Sequence, residues 1–191
     1  PAFLFDLADV IGFGIEDVLF VVGLSAFAST MYPVVFRRTP VAQGRPTREP
    51  WLRASFAIAV ALGTAFILLG VGVPVLYASV VAMLSVAVGM LSMRVDLIVP
   101  SLIGALLSTL VYFVLALVFA SLVPGVFERT WRPSMLLAGW KLLGVPVDEL
   151  LYGFGAGFVG TCFPAWAFGF VYRRRPRGAD APDFTHGREV Q

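Results

Sequence analysis

The chain has 191 residues, 59% of them hydrophobic and only 14% charged, with 14 basic against 12 acidic residues and a net charge of +2. A soluble domain carries roughly a quarter charged residues, so this composition and a mean hydropathy of +0.88 exclude an ordinary soluble fold and place the chain in a lipid bilayer, with no nucleic-acid partner expected. The single cysteine, Cys162, excludes an internal disulfide and a cysteine-cluster metal site, and the single histidine, His186, lies in a polar tail, so neither a metal nor a cofactor is expected.

The chain opens on Pro1 rather than methionine, so a natural start and a preceding helix are expected upstream. Five apolar segments, 15–36, 52–71, 74–93, 96–123 and 147–172, are long enough to cross a hydrocarbon core, which needs about 20 apolar residues. The expected fold is all-α: a polytopic membrane helical bundle of five transmembrane helices, with residues 1–175 as the membrane domain and 176–191 as a polar tail. Between the second and third spans, Gly70-Val71-Gly72-Val73-Pro74 breaks the helix, and Pro74 suits a helix start. Segment 124–145 mixes Glu128, Arg129, Trp131, Arg132, Trp140 and Lys141 with apolar residues. Tryptophan beside basic residues fits the membrane–water boundary, so an interfacial helix is expected there.

Orientation follows from basic residues near the span ends. Arg37, Arg38, Arg45, Arg48, Arg53, Arg94, Arg173, Arg174, Arg175, Arg177 and Arg188 fall at one end of the bundle. Arg129, Arg132 and Lys141 fall at the other, with Asp6, Asp9, Glu16, Asp17, Glu128, Asp148 and Glu149. The expectation is an inner-membrane protein with a cytoplasmic C-terminus.

Residues 146–160 read PVDELLYGFGAGFVG. GAGFVG fits the G-x-G-x-x-G spacing, but a dinucleotide site needs a preceding strand and an acid about 20 residues on. Here the glycines lie inside an apolar span, and Arg173, Arg174 and Arg175 follow it. Gly153 and Gly157 instead form G-x-x-x-G, which lets another helix approach closely. Thr161 and Pro164 are candidates for a kink.

The same stretch has an echo. GIEDVLFVVG at 14–23 aligns with PVDELLYGFG at 146–155, so that Glu16 matches Asp148, Asp17 matches Glu149 and Phe20 matches Tyr152. Both runs continue as small-residue-rich helices and end on an aromatic and two arginines, Phe36-Arg37-Arg38 and Tyr172-Arg173-Arg174. A parallel internal repeat is expected, with its first and last helices as neighbours and both acid pairs at one face. Carboxylates in a first helical turn are stabilised by the helix dipole, so capping explains either pair alone. Adjacent helical positions point 100° apart, so one acid of each pair can face the bundle while its neighbour caps or meets water. Ionisable groups at membrane depth usually mark function, and both readings stay open.

The paired motifs, Gly14-Ile15-Glu16-Asp17 and Pro146-Val147-Asp148-Glu149, resemble those of the lycopene cyclase domain family, small membrane cyclases with P-x-E-[ED] at the head of a helix in each of two repeats. The stretch from Arg94 through Phe158 has a similar layout. Gly14 stands in place of the first proline, and Asp148 in place of the second motif's first glutamate. The resemblance implies cyclisation of a linear carotenoid or isoprenoid end group without redox change, with Glu16, Asp17, Asp148 and Glu149 as the catalytic carboxylates. Glu16 and Glu149 would be the acids, and Asp17 and Asp148 would orient them or cap their helices. Phe20, Tyr152, Phe154 and Phe158 are candidates for an apolar ligand slot, since aromatic faces stabilise nearby cations; ordinary helix packing is the favoured explanation of them.

Two other readings remain. The motif departures and the small residues of the first and last helices fit a non-catalytic accessory subunit of a larger membrane complex, such as a pigment-bearing or photosynthetic assembly. A carrier built on a parallel repeat is the third; no charged residue falls near the middle of any span to support it.

Overall fold

The computed structural model describes residues 15–42, 49–130, 137 and 139–174, with backbone alone for 15–18, 20, 21 and 130. Five long helices appear where the apolar runs lie. They are α1 (Ile15–Val35), α2 (Pro50–Gly70), α3 (Val75–Met93), α4 (Ile98–Leu122) and α6 (Val147–Phe168). By length and composition α2, α3, α4 and α6 are able to cross a membrane; α1 has 21 residues, and its apolar part runs from Val22 to Val35. Breaks come from backbone chemistry. Gly72 adopts φ 86° after α2, and Pro74 caps α3. A 3₁₀ turn, Val95–Leu97, leads directly into α4, and the Arg94 guanidinium holds Asp96 across it at 2.8 and 2.7 Å.

Segment 124–145 departs from the expected interfacial helix. Its described parts are a five-residue helix, α5 (Val126–Thr130), and a hairpin of β2 (Lys141–Leu142) with β3 (Val145–Pro146); 131–136 and 138 lie outside the described residues. The hairpin turns through Leu143 and Gly144, both at positive φ (50° and 90°), the backbone that a two-residue hairpin loop requires. The last helix also stops early, at Phe168 rather than 172. Gly169 takes a left-handed conformation at φ 68°, which ends a helix without steric cost. The chain then runs as β4 (Phe170–Arg174), paired antiparallel with β1 (Arg38–Ala42). This two-stranded strap joins the ends of α1 and α6. The polar tail at 176–191 lies outside the described residues.

Helix α6 is the centre. It packs against α1, α3 and α4 and touches α2. Half of its apolar window is buried, against 11% for α2 at the periphery. Small residues set the approach. Gly153 lies on the Tyr112 ring, Gly157 on Ser108 and Ala105, and Gly160 on Ala28. Thr161 fits over Gly104, and its hydroxyl, with one proton to share, has Gly157 O at 2.9 Å and Ala28 O at 3.3 Å as acceptors. The first and last helices are therefore neighbours, as the echo implied. Ala28 and Gly160 are equivalent positions of that echo, so α1 and α6 run parallel and their acid-bearing ends share one end of the bundle.

The glycine contacts are testable. A Cβ on Gly157 would stand 2.6 Å from Ser108 Cβ and 2.8 Å from Ala105 Cα, whereas one on Gly63 meets nothing within 4 Å. Gly157→Ala should cost about 1–3 kcal/mol by overpacking, and Gly63→Ala should be neutral or stabilising. Unfolding of the two variants in detergent or bicelles reads this difference directly.

Candidate functional site

Pro146, which lacks an N–H, stands at the N-cap of α6, and Asp148 and Glu149 occupy its first turn. Both carboxylates are buried, Asp148 at 0% and Glu149 at 5% exposure. Of the arrangements left open for this pair, the one in which an acid meets water does not occur, because neighbouring elements cover both, and among the described residues no side-chain cap bond is made at the helix's N-cap. Asp148 Oδ1 accepts a hydrogen bond from Tyr77 in the first turn of α3. Its Oδ1 and Oδ2 also accept the Leu137 N–H at 3.1 and 3.2 Å. Glu149 Oε2 accepts the Tyr112 hydroxyl of α4 at 2.6 Å. Since the two acids point 100° apart, each is met from a different helix.

The site lies below the end of the bundle. Gly153 is level with Tyr112, so Glu149, one turn earlier in α6, sits roughly two turns inside the C-terminal end of α4. The described parts of the segment between α4 and α6 fold back over it. Phe127, Val145 and Ala116 form a small apolar cluster, with Phe113 and Leu150 packed against it. Val147 N–H donates to Trp140 O at 3.0 Å, closing the hairpin onto the helix head. Lys141 pairs with Glu128 and ties β2 to α5. That pairing holds the Glu128 carboxyl below its usual range, so the tie persists at neutral pH and is lost as pH falls through the lowered value.

The remaining candidates separate. Tyr152 lies one turn on from the acids, between their two directions, and is close enough to Tyr112 to interact with it electrostatically. Phe154 and Phe158 stack at 5.8 Å and 17° on another face of α6. Phe158 belongs to the core with Val86, Met90 and Trp166, and Phe154 packs against that core. The backbones of Glu16, Asp17 and Phe20 lie in α1, but their side chains lie outside the described residues. Among the described residues no three His, Cys, Asp or Glu side chains converge as a metal site would require.

Sequence reasoning missed Tyr77 and Tyr112. The signal was available: a tyrosine inside an apolar span has a hydroxyl that seeks a partner when buried, and the buried acids are that partner.

These features define a polytopic helical membrane protein with a buried carboxylate–tyrosine site at the head of its central helix. Residues 74–167, which carry both tyrosines, Asp148 and Glu149, match the lycopene cyclase family. Over this segment, just under half of its length, the chain is similar to that family. No curated protein and no solved structure matches the chain.

Asp148 fastens the covering segment, and this is measurable. Asp148→Ala leaves the partly buried Tyr77 hydroxyl and the exposed Leu137 N–H without their acceptor, at about 0.5–1.5 kcal/mol for each hydrogen bond lost. Proteolysis between 131 and 140 should accelerate in Asp148→Ala. It should accelerate less in Tyr77→Phe, which keeps the Leu137 contact.

Proposed function

We propose that the protein is a membrane cyclase acting on the linear end group of a carotenoid or related isoprenoid, with Glu149 as its proton donor. The observation that carries this reading is the Glu149 carboxyl, 5% exposed and held by Tyr112 at 2.6 Å inside an apolar bundle. The family match over residues 74–167 supplies the substrate class.

The chemistry balances without redox change. A carboxylic acid gives its proton to a terminal C=C of the substrate, leaving a carbocation. The electron pair of a second C=C closes the ring onto that cation. A carboxylate then takes a proton from a neighbouring carbon and restores a double bond. One proton enters and one leaves, so the product is an isomer of the substrate. Such a site needs one protonated and one ionised carboxyl, which different surroundings can provide, and it must keep water from the cation. The described parts of the return between α4 and α6, 123–130 and 139–146, serve the second need. Asp148, with both oxygens engaged, orients the helix head rather than reacting. Glu16 of α1 is the proposed second acid, with Asp17 as its orienting neighbour; the parallel run of α1 and α6 supports placing it at the same level. Tyr152 is proposed to border the substrate, and Phe20 to do so from α1. Phe154 and Phe158 extend the apolar wall.

In a host that makes a linear carotenoid, the wild type should yield a cyclic product. Glu149→Gln keeps size but removes the titratable proton, and should abolish ring formation while leaving the protein in the membrane. A wild type that forms no ring sinks the enzyme reading. The accessory-subunit reading then stands, favoured by the purely structural bonding of Asp148, and copurifying polypeptides or pigment would identify the assembly.

We also propose that the strap end of the bundle faces the cytoplasm of an inner membrane. Arg37, Arg38, Arg173 and Arg174 lie on or beside the strap, Arg94 donates to Phe170 O at 3.0 Å, and Arg53 stacks over Trp166 at 5.9 Å, so these six gather at one end. A reporter fused after Gln191 should be active only in its cytoplasmic form; the reverse result overturns the orientation.

A further inference from the structure

We infer that the strap formed by β1 and β4 is a binding site for the phosphate of an anionic phospholipid headgroup. Its register sets Arg38 directly opposite Arg174, with Thr39 opposite Arg173. Like charges directly opposite each other in a ladder are destabilising. Among the described residues the ion pairs are Arg94–Asp96 and Lys141–Glu128, and neither reaches Arg38 or Arg174. The ladder therefore sets two arginines opposite each other and leaves an anion to be supplied from outside.

Position identifies the source. Side chains alternate along a strand, so Phe170, Tyr172 and Arg174 share a face with Ala42, Pro40 and Arg38. That face turns toward the bundle: the Tyr172 ring meets Tyr32 edge-on at 5.2 Å, and its hydroxyl donates to Thr161 O at 2.9 Å. Arg38 and Arg174 continue this face beyond the tyrosine, beside the end of α1. Trp51, edge-on to Phe168 at 5.6 Å, lies at the same end. Tryptophan and tyrosine mark the headgroup level of a bilayer, where phosphate is the abundant anion. Arginine's fork matches phosphate oxygens two at a time. A lipid phosphate bridging Arg38 and Arg174 would turn the like-charge pair into a clamp that holds α1 against α6.

The test uses the full chain in nanodiscs of phosphatidylcholine alone or with phosphatidylglycerol, with thermal unfolding as the readout. In the wild type, phosphatidylglycerol should raise the midpoint by a few degrees. Arg38→Gln with Arg174→Gln should lose that response, yet in phosphatidylcholine alone should unfold no lower than wild type, because the repulsion has been removed. The charge-matched pair Arg129→Gln with Arg132→Gln should keep the response. Soluble glycerol phosphate added to phosphatidylcholine discs should not reproduce the shift. Loss of the response in both variants or in neither, a full shift with glycerol phosphate, or a strap variant that unfolds lower in phosphatidylcholine would each overturn the site.

Discussion

Two adjacent carboxylates at the head of the central helix are the costliest groups in this structure to bury. An unpaired polar group in an apolar interior costs several kcal/mol, and an unpaired charge far more. Asp148 and Glu149 are both nearly inaccessible, so each must be met by donors, and the surrounding elements supply them. Helix α3 contributes Tyr77, α4 contributes Tyr112, and the connecting segment contributes the Leu137 N–H. The arrangement of α3, α4 and α6, and the return of the chain between α4 and α6, follow from that demand as much as from apolar packing.

The demand can be met because α6 is thin. Lipid tails are as apolar as leucine, so helices in a bilayer associate through close fit and interhelical hydrogen bonds. Gly153 admits the Tyr112 ring to the backbone of α6, and that closeness brings its hydroxyl to Glu149. Gly157 and Gly160 extend the same close contact to Ser108 on α4 and Ala28 on α1. The glycine run that imitates a nucleotide motif is thus what lets α1, α3 and α4 converge on one helix.

Much of this was legible in the sequence because hydrocarbon imposes a length and a polarity on every span. The five helices fall within a few residues of the apolar runs, and the GIED and PVDE echo anticipated the α1–α6 contact. The acid pair at 148–149 stood out in the sequence by its position at the head of an apolar run. What the pattern did not carry was tertiary. The end of α6 at Gly169 depends on a left-handed backbone, and the strap depends on two strands 132 residues apart in the chain. The depth of the acids was hidden as well: a helix head reads as a membrane surface, yet α6 starts inside the span of α4. The hairpin at 141–146 replaced a helix because Leu143-Gly144 forms a tight turn where composition suggested only an interface.

The same geometry links stability to the proposed chemistry. Asp148 is engaged on both oxygens and fixes the cover, while the Glu149–Tyr112 pair joins the two most closely packed helices at the level of the site. A double-mutant cycle over Tyr112→Phe and Glu149→Gln, read as unfolding free energy in bicelles, tests this pairing most directly. The buried 2.6 Å bond predicts a coupling of about 1–3 kcal/mol between the two changes. Effects that add within about 0.5 kcal/mol would mean that the hydroxyl and the carboxyl do not meet, and the account of how α4 and α6 hold the site would be contradicted.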